Sequence, residues 1–183
     1  CCLCRINRIL NMHAASTPST RSTNSIAHHA SQWLHIAGRI PYSVIALLAR
    51  FSLAAVFWTS GQTKVQGLVV NLVDGTLQLG WPSLAEGAVA LFRDEYRLPW
   101  LSPELAAVLA ATAEHVLPLL LLLGLASRLS ALGLLGMTAV IQVLVYPGAY
   151  AMHGTWAALA LLILARGPGL ISLDQLLARR WSR

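Results

Sequence analysis

Four long apolar runs, separated by shorter polar segments, occupy the chain from residue 42 onward. A helix rises ~1.5 Å per residue, so about 20 apolar residues cross the ~30 Å hydrocarbon core of a bilayer. The pattern therefore predicts an all-α membrane protein built as a four-transmembrane-helix bundle. We expect the spans at Tyr42–Ser60, Pro103–Leu125, Leu129–Tyr146 and Met152–Ala165.

Helix-end signals support the second and third of these spans. Ser102 is a favourable N-cap, Pro103 suits the first helical position, and Glu104 places an acid near the positive end of the helix dipole. Pro147 and Gly148 end the third span. The fourth apolar run is the shortest, so its boundaries are the least constrained by the pattern.

The 61–103 connection between the first two spans has a pattern of its own. Val69–Val73 and Thr76–Trp81 flank Asp74 and Gly75, a turn pair that can adopt positive φ. This arrangement predicts a short β-hairpin.

An amphipathic helix is expected directly after the hairpin, over Ser83–Arg97. Ser83 and Glu86 have the spacing of a capping box. Apolar residues then recur every four positions, and charged residues occupy the opposite side. The apolar set is Leu84, Ala88, Phe92 and Tyr96, and the charged set is Glu86, Arg93, Asp94 and Arg97. Such a helix lies at the membrane surface or caps the bundle, here on the extracytoplasmic side.

Composition agrees with a bilayer environment. Only 11% of the 183 residues are charged, 56% are hydrophobic, and the mean hydropathy is +0.63. Soluble domains carry roughly 25% charged residues. The net charge of +6 does not indicate nucleic-acid binding, because most basic residues flank the apolar runs.

The termini differ from the membrane domain in composition. We expect a flexible tail over 1–40, a membrane domain over 41–169 and a basic cytoplasmic tail over 170–183. The only cysteines are Cys1, Cys2 and Cys4. They lack further ligands at fixed spacing, so no metal site is predicted there. We expect residues 1–11 to be an upstream-translation artefact, with Met12 opening the native chain.

Orientation follows from the basic residues of the short connections. The N-terminal tail, the turn at Arg128 and the C-terminal tail are basic, whereas the connection between the third and fourth spans has no Lys or Arg. The positive-inside rule then places both termini in the cytoplasm.

Two charged residues, Arg50 and Glu114, lie well inside predicted spans. Measured from one membrane surface, Arg50 is ~12 Å deep and Glu114 ~16 Å deep. A charged side chain at such depth in the hydrocarbon core is unfavourable unless it is ion-paired or serves a function. We therefore expect these side chains to pair. Lys64 continues the stripe of Arg50 along the first span and is expected to extend to the outer surface.

Further polar residues fall at similar depth, namely His115, Thr138 and Gln142. Together with Arg50 and Glu114 they form a predicted intramembrane polar cluster. Two interpretations remain open: a polar cluster with a purely structural role that stabilises the bundle, or a quinone or proton site. His153 is expected to be a solvated end residue. Its depth does not match that of His115, which argues against bis-histidine haem. No metal site is predicted.

From Ala49 to Leu177 the chain resembles the DoxX family of small bacterial four-span membrane proteins. The segments that carry the resemblance are ARFSLAAVFWTSGQTKV, LFRDEYRLPWLSPELAA, AEHVLPLLLLLGLASRLSALGLLGMTAVIQVLVYP and HGTWAALALLILARGPGLISLD. The resemblance implies a location in the bacterial inner membrane and association with redox systems. Some relatives are similar to membrane subunits of thiosulfate:quinone oxidoreductases, and others are linked to oxidative-stress thiol systems or to metal-handling peptides.

Three functions are compatible with these observations. The first is an accessory or anchoring subunit without autonomous catalysis, on which a redox or metal-stress partner docks. Its docking platform would include Arg93, Asp94, Glu95 and Tyr96. The second is a quinone-interacting subunit of an oxidoreductase, with quinone as the one cofactor considered. The third, a small-solute or proton transporter, is less favoured because four unbroken spans would have to assemble as a homo-oligomer.

Overall fold

The computed structural model describes residues 38–71 and 75–181. The three cysteines, Met12 and Asp74 of the predicted hairpin turn lie outside the described residues. Four helices are long and apolar enough to cross a membrane: Tyr42–Gln62, Pro103–Leu123, Ser127–Val145 and Pro147–Arg166. They are called the first to fourth spans below. The predicted four-helix membrane protein is confirmed.

Helix ends account for the differences from the predicted boundaries. Ser102 caps the second span as predicted, because its hydroxyl accepts from the Leu105 amide at 3.3 Å. That span ends at Leu123 because Gly124 has a φ of +72°. A Cβ on Gly124 would lie 2.6 Å from Ser172 Cβ, so only glycine fits there.

The last two spans contain short non-α segments next to their connection. The third span is α-helical over Ser127–Val140 and continues as a π-helix over Ile141–Val145. A 3₁₀ turn at Pro147–Ala149 opens the fourth span, and an α-helix follows over Tyr150–Arg166. The sequence pattern placed the start of this helix two residues later.

The predicted hairpin is present and longer than expected. Strand β1 covers Val65–Asn71 and strand β2 covers Thr76–Leu84, and they pair antiparallel. A bulge interrupts the register at Gly67, whose φ is +88°. A Cβ on Gly67 would lie 2.4 Å from the carbonyl oxygen of Trp81, so the bulge requires glycine.

The surface helix consists of an α-helical turn at Glu86–Ala90 and a π-helical turn at Leu91–Tyr96. The predicted capping box is wrong, because Ser83 belongs to β2 and no side chain caps the helix. Three residues of the predicted apolar stripe, Ala88, Phe92 and Tyr96, lie on the helix and pack inward, whereas Leu84 belongs to β2. Phe92 is buried against Ala106 and Ala107 of the second span, with Leu84 and Tyr96 packed around them.

The spans pack so that the first contacts the second and fourth, and the third also contacts the second and fourth. Five large side chains are buried at the centre of the bundle: Leu53, Phe57, Leu121, Leu134 and Ile163. Leucines such as Leu48, 65% exposed, point outward, as expected for contact with lipid.

The two ends of the bundle differ. The end with β1, β2 and the surface helix is called the hairpin side. The opposite end carries Tyr42, Leu123, Ser127 and Arg166 and is called the terminal side. An amphipathic C-terminal helix, Leu173–Trp181, follows the fourth span there.

Candidate functional site

A buried ion pair joins the first span to the second towards the hairpin side. Lys64 Nζ lies 2.7 Å from Glu114 Oε2, and the two side chains are only 3% and 4% exposed. Lys64 also donates to the carbonyl oxygen of Ser60 at 3.2 Å and to its hydroxyl at 3.0 Å. Because removing one member would leave a buried charge alone, each charge depends on the other.

Gly61 allows the two helices to approach closely beside this pair. A Cβ at that position would lie 3.0 Å from Glu114 Cβ and 2.9 Å from His115 Cε1. Lys64 follows the end of the first span and folds back by one turn towards Ser60. Since Lys64 is 2% exposed, the prediction that it extends to the outer surface is wrong.

Arg50 is buried but does not pair with Glu114, so the predicted ion pair between them is wrong. In a helix the Cβ atoms tilt towards the N-terminus, which directs Arg50 to the terminal side and away from Glu114. The last carbonyls of the second span lack intrahelical donors there. The guanidinium of Arg50 donates to four carbonyl oxygens, those of Leu121 at 2.9 Å, Leu122 at 2.7 Å, Pro168 at 3.0 Å and Ile171 at 2.6 Å.

His115 belongs to a separate hydrogen-bond chain under the hairpin. The Val70 amide donates to Gln62 Oε1 at 2.8 Å, which turns the Gln62 amide nitrogen towards His115 Nε2, also at 2.8 Å. His115 Nδ1 lies 2.7 Å from the carbonyl oxygen of Ala111. Nε2 must therefore accept and Nδ1 must donate, which defines a neutral imidazole with its proton on Nδ1.

Gln142 takes no part in the Lys64–Glu114 ion pair and contacts His153 instead. His153 Nδ1 lies 2.7 Å from Gln142 Oε1, and Gln142 donates to the carbonyl oxygen of Pro147 at 2.7 Å. His153 is 2% exposed, so its prediction as a solvated end residue is wrong. Thr138 donates to the carbonyl oxygen of Leu134 at 2.8 Å within its own helix.

Two cavities flank the second span on its hairpin-side half. The Glu114 cavity, of about 340 Å³, lies between the second span, the third span and the surface helix, and Tyr96 and Met137 also line it. The His115 cavity, of about 430 Å³, lies beneath the hairpin, with Trp58 in its wall. Successive helical residues point ~100° apart, which explains why Glu114 and His115 line different cavities.

The Glu114 cavity is apolar except at two side chains in its lining, Glu114 and Tyr96. Burial raises the pKa of the Tyr96 phenol, and the negative charges of Glu114 and Glu95 raise it further. Tyr96 therefore stays protonated at neutral pH and keeps a hydroxyl able to donate. Its ring packs edge-on against Phe92, with centroids 4.7 Å apart.

The predicted platform residues lie on the surface helix. Arg93, Asp94 and Glu95 are exposed. Arg93 pairs with Glu104 of the second span at 3.2 Å, where both side chains are about 60% exposed. Glu95 accepts a hydrogen bond from the Tyr146 hydroxyl, and this bond is the main reason why the pKa of Tyr146 is raised to about 12.

The predicted polar cluster thus divides into four separate environments, at Arg50, at Glu114, at His115 and at Gln142. The partners that sequence reasoning missed are Lys64, Gln62 and His153. The signal for Lys64 was its place on the stripe of Arg50, and no local pattern indicated the other two. Among residues 38–71 and 75–181, no three His, Cys, Asp or Glu side chains are grouped to hold a metal ion.

Comparison with known proteins identifies a family. The family model described as DoxX matches residues 45–147, more than half of the chain, from within the first span to the first residue of the fourth. No curated protein and no solved structure matches the chain. The matched region contains Arg50, Lys64, Glu114 and His115. The chain belongs to the DoxX family.

Proposed function

We propose that this protein is a membrane subunit of a redox system and that its Glu114 cavity binds a quinone. The carrying observation is the make-up of that cavity, which has apolar walls, a volume of about 340 Å³ and a buried, ion-paired carboxylate. Small-molecule sites are typically ~300–1,000 Å³, mostly apolar, with a few fixed polar groups. The relatives linked to quinone oxidoreductases support the same class of ligand.

The polar groups of the cavity suit a quinone. A quinone ring is flat and apolar, and its carbonyl oxygens accept hydrogen bonds. The protonated Tyr96 hydroxyl can donate to one carbonyl, while the apolar lining contacts the ring. Lys64 Nζ lies 2.7 Å from Glu114 Oε2, so a proton can pass between these two groups at the cavity wall.

The reaction balances with a separate electron donor. Reduction of a quinone to a quinol takes up two electrons and two protons. In this proposal a redox partner protein supplies both electrons. One proton passes from the Lys64 ammonium through Glu114, and the second comes from water at the membrane surface. The subunit itself would then bind and orient the quinone rather than carry out redox chemistry alone.

Filling the cavity tests the proposal without removing a charge. Gly136 lines the Glu114 cavity, and a Cβ there would meet no atom within 4 Å. Gly136→Leu should abolish binding of a short-chain quinone, measured by fluorescence quenching and by quinone extracted from the detergent-purified protein. Gly154→Leu is the matched control, because Gly154 also has open space and lies outside the cavity lining.

Glu114→Gln should weaken quinone binding, and Glu104→Gln, at an exposed carboxylate, should not. A parent protein that binds no quinone at saturating concentration would contradict the proposal. Equal binding by Gly136→Leu and Gly154→Leu would place any bound quinone outside the Glu114 cavity.

A second candidate function, an anchoring subunit for a protein partner, is favoured by the exposed surface of β2. Leu77 and Leu79 alternate along the strand, so they share one face, and Trp81 follows them at the bulge opposite Gly67. Their exposed fractions are 66%, 76% and 92%. Together with Arg93 and Glu95 of the surface helix, they would offer a partner both apolar and charged contacts.

Affinity purification in mild detergent tests the docking role. The parent protein should recover a stoichiometric partner, and Leu79→Glu should lose it. Gln78→Glu is the matched control, because Gln78 is exposed on the opposite face of the same strand. A parent protein that purifies without a partner, or equal recovery by both variants, would count against docking at this surface.

We also propose the bacterial inner membrane as the location, with both termini in the cytoplasm. Basic residues on the terminal side support this orientation, namely Arg128, Arg166, Arg179 and Arg180. Reporter enzymes fused after residue 181 should be active only in the cytoplasm. Activity of a periplasmic reporter at that position would reverse the assignment.

A further inference from the structure

A third cavity, of about 710 Å³, opens on the terminal side of the bundle. It lies between the start of the first span, the start of the third and the end of the fourth. Tyr42, Ser127, Arg128 and Arg166 contribute to its walls. None of these residues takes part in the quinone proposal, so the chemistry of this cavity can be considered separately.

Two guanidinium groups line this cavity without a carboxylate partner. The ion pairs within 4.0 Å that the structure shows among the described residues, Lys64–Glu114 and Arg93–Glu104, include neither of these arginines. Arg166 lies over the Tyr42 ring, with its Cζ 6.0 Å from the centroid. Arg128 lies beside Gly167, whose Cβ would be 3.7 Å from an Arg128 nitrogen.

One acidic side chain, Asp174, also lines the cavity, but its oxygens are already used. They accept from the Ala126 amide at 2.7 Å and the Ser127 amide at 2.9 Å, at the start of the third span. Two arginines and one aspartate leave the cavity with one net positive charge. That charge matches the single negative charge of a phosphodiester.

An unpaired hydroxyl indicates that the cavity takes a polar ligand. Ser127 lines it and is 0% exposed, and its Oγ is the one buried side-chain oxygen or nitrogen without a hydrogen-bond partner in the part of the chain that the structure describes. A buried polar atom without a partner is unfavourable by itself. A phosphate oxygen in the cavity would supply the missing partner.

The rim of the cavity contains exposed apolar side chains. Leu129 and Leu170 line it and are 71% and 62% exposed. Arginines with exposed leucines beside them are typical of the boundary between lipid headgroups and acyl chains. These side chains favour a lipid over a free ion as the source of the phosphate.

We propose that this terminal-side cavity is a binding site for a phosphate ester group, held by Arg128, Arg166 and the hydroxyl of Ser127. Arginine presents several donors in a fixed plane and binds phosphate oxygens with two parallel hydrogen bonds. Among molecules that carry such a group, an anionic phospholipid agrees best with these observations. Inorganic phosphate would bind through the same contacts, and the experiment below distinguishes it from a lipid headgroup.

The test uses the full chain in a neutral detergent and three probes: a short-chain phosphatidylglycerol, a short-chain phosphatidylcholine and inorganic phosphate. Binding is measured by native mass spectrometry and by the ligand-induced shift of the melting temperature. Arg128→Gln and Arg166→Gln should each weaken phosphatidylglycerol binding about fivefold, as expected for one basic residue at a membrane surface. Arg180→Gln is the control, because Arg180 is exposed on the same side outside the cavity lining.

Ser127→Ala distinguishes the loss of a binding contact from a loss of binding caused by misfolding. Removing an unpaired buried hydroxyl should leave the melting temperature without ligand unchanged or higher, while phosphatidylglycerol binding becomes weaker. Preference for phosphatidylglycerol over phosphatidylcholine and inorganic phosphate supports the lipid source, and equal displacement by inorganic phosphate supports a free anion at the same site. An equal loss in Arg180→Gln, or no binding of any probe, overturns the proposal.

Discussion

Replacing Arg50 by methionine should destabilise the bundle more than any exposed substitution. Arg50 is 2% exposed and donates four hydrogen bonds of 2.6–3.0 Å to carbonyl oxygens of two separate segments. Methionine keeps most of the side-chain volume but offers no donor. The Leu121 carbonyl keeps the Gly124 amide as a donor at 3.1 Å, so three carbonyls would be left unpaired, those of Leu122, Pro168 and Ile171. A buried carbonyl left unpaired costs about 1–3 kcal/mol, so three would cost at least about 3 kcal/mol if no water replaced the arginine.

Water can reach some of these carbonyls at the bundle end, which lowers the expected loss to about 3–5 kcal/mol. Arg50→Lys should be intermediate, because a single ammonium cannot reach four acceptors in different directions. The free energy of unfolding is measured by circular dichroism in mixed micelles with increasing dodecyl sulfate. Arg93→Met is the control, since it removes an exposed ion pair worth about 0–1 kcal/mol. Equal unfolding free energies for Arg50→Met and Arg93→Met would refute the reasoning.

Three further predictions follow from other contacts. Gly61→Ala should lower the free energy of unfolding by about 1–3 kcal/mol because of its close approach to the second span, whereas Gly154→Ala, with open space, should not. Asp174→Asn should weaken the attachment of the C-terminal helix and speed its proteolysis by trypsin, because the carboxylate accepts hydrogen bonds from the Ala126 and Ser127 amides, where the third span begins. The Tyr146 phenol should ionise at about pH 12, and Glu95→Gln should lower that midpoint in an absorbance titration. Since the pKa is raised by folding, the stability from this phenol is complete below pH 10.0 and is lost as the pH rises towards 12.

Features determined by local sequence could be predicted well. Span positions depend on apolar length, and the start at Ser102 depends on a side chain and an amide three residues apart. The burial of Ala88 and Phe92 on one face follows from helical spacing alone. The capping box at Ser83 failed because the residue pairs in β2 instead, so strand pairing outcompeted a helix-start signal.

Partner choice for buried polar groups could not be predicted in the same way. Depth along the membrane normal correctly identified Arg50 and Glu114 as buried, but it did not include the direction in which each side chain leaves its helix. Arg50 points back to the terminal side, and two of its acceptors belong to a connection more than 110 residues away. His153 was misjudged because the 3₁₀ turn before it places the fourth span against Gln142.

The long-range bonds of Arg50 have a consequence for how the protein is made. Ribosomes deliver the first span to the membrane long before Pro168 and Ile171 emerge, 118 and 121 residues later. Until then, the newly inserted helix carries a cation that lacks two of its four acceptors. Insertion therefore depends on water, lipid phosphate or a chaperone shielding that side chain, and ribosomes that stop before residue 168 would release chains recognisable to quality-control proteases.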